Sequence, residues 1–216
     1  IYRTPDANNR IGTVPGQSGR LVVVDGFWED NLGGILEIGS NGRGTLIVST
    51  GGSIFGEEVF VGGNGGGGTL IIQNGGVMTS PRISLGPASP ATATVTGANS
   101  RLSLQSLGVG NGFNSTLSVL AGGLLDNDGP TSIGNDAFDA TTGTIRVEGT
   151  SSLWRNGGDV RVGTGGDGLV DIAGGGRAAL NSIYIGRGND LMFGTGAGTV
   201  TVHGTNSQLV CAAMAI

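Results

Sequence analysis

Short runs that alternate between apolar and polar residues recur along this chain at a nearly constant spacing. Each run is rich in β-branched side chains, a pattern typical of a β-strand with one buried face. In GTLIV, the copy at residues 44–48, we expect Leu46 and Val48 to face inward and Ile47 to face outward. The copies are RLVVV (20–24), GTLIV (44–48), GTLII (68–72), ATATV (91–95), STLSV (115–119), GTIRV (143–147), GLVDI (168–172) and GTVTV (198–202).

A glycine that follows an isoleucine, valine or leucine closes each copy of a longer repeat. The spacings between successive glycines of this kind are 27, 23, 24, 24, 24, 29 and 23 residues. Such regular spacing predicts one repeated structural unit. We call these residues the anchor glycines: Gly12, Gly39, Gly62, Gly86, Gly110, Gly134, Gly163 and Gly186.

The repeat is too short to join parallel strands through a helical crossover, and no segment has sustained helical periodicity. Coiling the chain, so that each strand lies on the previous copy, satisfies the pattern. The sequence therefore predicts an all-β fold, a right-handed parallel β-helix (β-solenoid) of about eight coils with roughly 24 residues per coil. We expect a single array over residues 1–216, with a polar lead-in at 1–11, repeats from 12 to 216 and a last coil cut short, as in a fragment of a longer protein.

Two kinds of turn follow the alternating runs. Val48, Ile72, Val119 and Ile172 precede Gly-Gly turns such as QNGG, whereas Val95, Val147 and Val202 precede TGANS, EGTSS and HGTNS. The two kinds alternate from residue 72 onward, which indicates a unit of two coils. A column of threonines (45, 69, 92, 116, 144 and 199) precedes the inward residues and is expected to be structural.

Composition excludes several classes of partner. The 46 glycines are periodic, so they favour turns over disorder. The net charge is −5, every basic residue other than His203 is arginine and no basic block occurs, which disfavours nucleic acid and anionic membranes. The apolar runs are too short to span a membrane. Cys211 is the sole cysteine, so no disulfide or thiolate metal site can form within the chain.

The segments GTIRVEGTSSLWRNGGDVRVG (143–163) and GTLIIQNGG (68–76) resemble the passenger repeats of Gram-negative autotransporter adhesins. The resemblance extends over roughly residues 12–216. It implies export through the outer membrane, a cell-surface location and a role in adhesion or aggregation. The GDSGS-type motif of the protease subgroup does not occur in this sequence.

Catalytic and metal-binding candidates are few. His203, the sole histidine, falls at an outward position and is expected to be a surface residue without a catalytic role. GNDLMFG (188–194) and DNDG (126–129) resemble single calcium loops, but neither has the companion ligands, so we expect ordinary loops and no cofactor or metal. Aspartates spread over the turns leave open a glycan-cleaving alternative: Asp126, Asp128, Asp136, Asp139, Asp159, Asp167, Asp171 and Asp190.

Outward aromatic and basic side chains are the main binding candidates. One outward column precedes the anchor glycines (Glu37, Phe60, Ser84, Gly108, Ser132, Arg161, Tyr184), and another begins Val23, Ile47, Ile71. The predicted binding residues are Phe60, Arg146, Trp154, Arg161 and Tyr184. The alternative is that neighbouring turns cover Phe60 and Trp154.

We therefore expect a non-catalytic adhesin segment on the bacterial surface, or a stalk that carries one. Its partners would be a host-cell or extracellular-matrix protein, a surface glycan or a like copy of itself. The alternative is a glycan-binding or glycan-cleaving β-helix of the phage-spike or lyase type.

Overall fold

The computed structural model describes residues 2–3, 9–29, 34–56, 58–135, 141–186 and 196–216. All regular secondary structure within these ranges is β-strand, which confirms the predicted all-β class. No membrane-spanning helix therefore occurs in this part of the chain. The strands are β1 (Tyr2–Arg3), β2 (Asn9–Ile11), β3 (Ser18–Val24), β4 (Phe27–Glu29), β5 (Ile35–Ile38), β6 (Arg43–Ser49), β7 (Ser53–Phe55), β8 (Glu58–Val61), β9 (Gly68–Gln73), β10 (Val77–Leu85), β11 (Ala91–Thr96), β12 (Arg101–Val109), β13 (Ser115–Leu120), β14 (Leu124–Asn127), β15 (Thr131–Ile133), β16 (Thr142–Glu148), β17 (Leu153–Val162), β18 (Asp167–Ala173), β19 (Arg177–Ile185), β20 (Gly198–His203) and β21 (Gln208–Ala215).

The strands stack in parallel into two sheets. Sheet B has 8 strands in the order β20-β18-β16-β13-β11-β9-β6-β3. Sheet A has 13 strands, with β1-β4-β7-β10-β12-β14-β17-β19-β21 as its main path and β2, β5, β8 and β15 beside it. The chain passes through both sheets in each coil, so the predicted β-solenoid is confirmed, with about 7 turns of ~24 residues. β2, within the segment expected to be a lead-in, pairs with β5.

All eight anchor glycines have positive φ, between 66° and 82°. At Gly62, a Cβ atom would overlap the carbonyl oxygen of Ser89 on the next coil. Glycine is required there for two reasons, because side chains rarely adopt this backbone conformation and because two backbones approach closely. The repeat visible in the sequence is therefore a repeat of tight corners.

The inward positions of sheet B form a continuous apolar column. The side chains of Leu46, Leu70, Leu117 and Ile145 are at most 1% exposed and are aligned through the parallel register. Alternate residues of sheet A face them, and the buried apolar side chains form one cluster along the array. Burial of this column is the main favourable term for stacking one coil on the next.

The register of β3 differs by one residue from the sequence prediction. Leu21 pairs with Leu46, and Val22 pairs with Ile47, so Val22 and not Val23 begins the outward column. The predicted position of Val23 is wrong because three consecutive valines contain no alternation from which to read a register. Pairing with Val48 turns Val23 inward, and a shift of one residue exchanges the two faces of a strand.

The threonine column of sheet B is continuous over five strands. Thr45, Thr69, Thr92, Thr116 and Thr144 are aligned in adjacent strands, and Leu169 separates them from Thr199. The Thr92 hydroxyl lies 3.4 Å from that of Thr69. These side chains line a shallow groove outside sheet B together with glycines and serines.

Serine hydroxyls join the two kinds of turn and explain why they alternate. Ser152 Oγ accepts a hydrogen bond from Gly122 N in the Gly-Gly turn of the preceding coil (3.1 Å) and donates to Glu148 O (2.6 Å). Ser100 makes the same two bonds with Gly75 and Thr96, and Ser207 makes them with Gly175 and His203. Each serine turn thus fixes the Gly-Gly turn next to it, which gives the two-coil unit a physical basis.

A buried polar cluster supports one bend of sheet A. Asn127 Nδ2 donates to Asn156 Oδ1 on the next coil (2.9 Å), and the Thr131 hydroxyl donates to the same oxygen (2.6 Å). Asn156 Nδ2 in turn donates to Gly129 O (3.1 Å). These amides satisfy backbone carbonyls where the strands bend and the regular ladder is interrupted.

Candidate functional site

The predicted outward column before the anchor glycines exists as a register of adjacent strands. It contains Arg10, Glu37, Phe60, Ser84, Gly108, Ser132, Arg161 and Tyr184. Its members occupy equivalent places in successive coils. Their exposure, however, differs from one coil to the next.

Turns after the anchor glycines cover part of this column. Asn111 Nδ2 donates to Ser84 Oγ (3.0 Å), and a Cβ atom on Gly108 would overlap the Asn111 side chain. Glu37 is also buried, because its carboxylate accepts a hydrogen bond from Ser40 Oγ (2.6 Å) and pairs with Arg10 Nε (3.1 Å). The column is therefore not one continuous exposed strip.

Three of the predicted binding residues belong to this column and are at least partly exposed. Arg161 and Tyr184 are direct neighbours on β17 and β19, and Arg161 is exposed while Tyr184 is half-buried. The Arg161 guanidinium lies 4.0 Å from Asp159. Phe60 is half-buried and is separated from this pair by several coils, so the structure does not bring it to the same site.

Trp154 does not face outward, and that expectation is wrong. Its side chain is 0% exposed and lies in the core between Leu125 and Ala178 of the adjacent strands. The small Ala178 leaves room for the indole, and Leu153 takes the outward position instead. The equivalent turns, SRL (100–102) and SQL (207–209), have a polar residue at the position of Leu153 and an apolar residue at the position of Trp154. A comparison of these turns could have indicated that Trp154 faces inward.

Arg146 lies on the outer face of sheet B, away from the other candidates. Its guanidinium contacts Glu148 (2.7 Å) and Asp171 (3.7 Å). His203, exposed as predicted, lies with Nε2 3.0 Å from Asp171 Oδ1. These four side chains form a polar network across three strands, which the sequence did not reveal because the residues come from different coils.

Most described aspartates from the glycan-cleaving alternative have partners within the fold. Asp126 pairs with Arg101 at 2.6 Å, Asp159 accepts a hydrogen bond from Ser182, and Asp167 accepts one from Ala197 N. Asp136, Asp139 and Asp190, together with the GNDLMFG segment, lie outside the described residues.

In the DNDG segment, the side chain of Asn127 points into the core, so the segment does not present an open set of oxygen ligands. No group of three or more His, Cys, Asp or Glu side chains in the described part of the chain is arranged to hold a metal ion.

A groove on the outer face of sheet A was not predicted as a site. Its volume is ≈ 390 Å³, and it lies across β17, β19 and β21. Its lining includes the side chains of Leu153, Arg155, Arg177, Gln208 and Val210. Arg155 and Arg177 are 22 residues apart in the sequence, and only the stacking of coils brings them close together.

Comparison with known proteins adds no assignment: no family model matches the sequence, and neither a curated protein nor a solved structure matches the chain.

Proposed function

We propose that this chain is a segment of a non-catalytic adhesin on the surface of a Gram-negative bacterium. It attaches to host cells, to extracellular matrix or to like copies of itself through the side of the solenoid. The resemblance of its repeats to autotransporter passengers supports the cell-surface location and the export route.

The observation that carries this proposal is the shape of the molecule. Two parallel sheets run the length of the stack and present rows of outward side chains, with neighbouring strands about 4.8 Å apart. About 7 turns stacked at this spacing give a rod roughly 30 Å long. A rod of this kind displays an extended lateral surface, which suits attachment to other macromolecules.

The exposed side chains are consistent with an interaction surface. Phe27 and Phe55 of sheet A are 40% and 43% exposed, and Phe113 in a turn is 43% exposed. Exposed aromatic side chains contribute large contact areas at a small entropic cost. In this proposal they supplement the candidates Phe60, Arg161 and Tyr184.

Bead adhesion tests the proposal. Fluorescent beads coated with the folded chain are expected to bind cultured epithelial cells, matrix-coated wells or each other in a saturable manner. Beads coated with heat-unfolded chain or with albumin serve as controls. Adhesion no greater than these controls in all three formats would rule out an adhesive role and leave only that of a stalk.

A further inference from the structure

Two exposed arginines on the outer face of sheet A, Arg155 and Arg177, form no ion pair with any described residue. Each of the following arginines does pair with a carboxylate: Arg10, Arg82, Arg101, Arg146 and Arg161. In a chain of net charge −5, these two unpaired guanidinium groups line the same groove. Arg20 and Arg43 are also unpaired within the described ranges, but they lie on sheet B.

The arrangement around Arg101 shows what Arg177 lacks. Arg101 and Arg177 occupy the same outward position in different coils, and the next coil places Asp126 beside Arg101 at 2.6 Å. The residue in the equivalent position beside Arg177 is Val210. An apolar side chain thus stands where a carboxylate would neutralise the arginine.

Arg155 also lacks an ion-pair partner among the described residues, but for a different reason. Its neighbours along the column are Asp126 and Ala179. Among the described residues, the Asp126 carboxylate pairs with Arg101 and not with Arg155, and Ala179 has no charge. The Arg155 guanidinium is consequently available to a ligand.

The two arginines are positioned to act together. They lie on adjacent parallel strands and are offset by two residues, because Arg177 pairs with Leu153. Strand spacing and rise per residue place their Cα atoms about 8 Å apart. Leu153 and Ala179 form an apolar part of the groove, and Gln208 and Ser151 add an amide and a hydroxyl.

We propose that Arg155 and Arg177 bind the carboxylate or sulfate groups of an anionic glycan whose sugar rings lie in this groove. Guanidinium groups form paired hydrogen bonds with planar or tetrahedral oxyanions. The amide and hydroxyl suit sugar hydroxyl groups, and the apolar part suits the C–H face of a sugar ring. Two arginines on an acidic protein are too few for nucleic acid, which requires an extended basic surface.

This inference rests on the proposed function, because it names the ligand class for a surface that we assign to adhesion. The two can fail separately. A chain that adheres to cells but not to anionic glycans contradicts only the inference, whereas a chain that binds the glycans but neither cells, matrix nor itself contradicts only the adhesive role.

The experiment measures binding of the full chain to immobilised polygalacturonate and to dextran sulfate, with neutral dextran as the reference. We expect binding to at least one of the charged polymers and none to dextran; comparison of the two polymers distinguishes carboxylate from sulfate recognition. R155Q and R177Q are each expected to weaken binding about tenfold, as expected for loss of charge-assisted hydrogen bonds.

V210D is the most specific variant, because it retains both arginines and supplies the missing carboxylate to Arg177. We expect it to weaken binding about as much as R177Q. The double variant R20Q/R43Q removes two unpaired charges from sheet B, and R82Q removes a paired charge from sheet A; both are expected to bind like the wild type. Circular dichroism verifies the fold of each variant.

Several results would overturn the proposal. Failure of the wild type to bind either charged polymer would do so, as would full binding by folded V210D or by a folded double variant that combines R155Q with R177Q. An equal loss in R20Q/R43Q would show that overall charge, and not this groove, determines binding. Equal affinity for a single-stranded oligonucleotide would also contradict recognition of a glycan.

Discussion

Gly62 and Gly65 lie in the same coil, but a methyl group added to each would meet different surroundings. Gly62 and Gly65 both have positive φ, 81° and 99°. A Cβ atom on Gly62 would overlap Ser89 O, whereas one on Gly65 would have no atom within 4 Å. The first position is constrained by backbone conformation and by contact, and the second by conformation alone.

We therefore expect G62A to destabilise the chain more than G65A. The conformational cost at either site is about 1–2 kcal/mol. G62A should lose at least about 1–2 kcal/mol more, because the added atom displaces the backbone of the next coil. Denaturant unfolding of both variants measures the difference, and equal losses would contradict the close approach at the anchor glycine.

Individual residues also show where sequence reasoning reaches its limit. The alternation in GTLII and GTIRV indicated the inward side chains correctly, since Leu70, Ile72, Ile145 and Val147 are at most 1% exposed. Trp154 and Val23 were misplaced because an apolar residue stands next to each, so hydrophobicity alone fits either face. The packing volume beside Ala178 and the pairing with Val48 decide the orientation, and both depend on other coils.

At the scale of elements, the unit of this fold is a pair of coils joined by one serine. The predicted alternation of turns is explained by bonds such as Gly122 N to Ser152 Oγ, which connect successive corners. The sequence shows the alternation, but not its cause, because the bonding partners are 30 residues apart.

Replacement of this serine should loosen the corner. S152A removes the hydroxyl that accepts from Gly122 N and donates to Glu148 O, and leaves both groups without that partner. We expect a loss of about 1–3 kcal/mol in unfolding free energy. S151A is the matched control, since Ser151 is exposed, and it should change stability by less than about 0.5 kcal/mol.

Hydrogen exchange gives a second readout for S152A. Faster exchange at Gly122 N is expected, because its acceptor is lost. Unchanged stability and unchanged protection at Gly122 would contradict the role of the serine turn.

For the whole molecule, the period in the sequence was sufficient to predict the solenoid but not the distribution of its surface chemistry. The outward column was predicted in its correct register, yet the turn containing Asn111 covers its centre. The groove with Arg155 and Arg177 and the Arg146 network each combine residues from different coils. Sites of this kind depend on which coil lies beside which, so they become visible only in three dimensions.

We propose that this protein acts through its lateral surface, and mainly through the outer face of sheet A. Attachment of a polymer to one face at a time tests it directly. In a C211S background, A179C places a single thiol in the groove of sheet A, and S118C places one on sheet B. Each thiol is then coupled to polyethylene glycol.

The measurement is bead adhesion to cells before and after coupling. We predict that polymer at residue 179 abolishes adhesion, while polymer at residue 118 leaves at least half of it. Adhesion that survives coupling at residue 179 would contradict this proposal, because the ligand would then bind elsewhere than on this part of the outer face of sheet A.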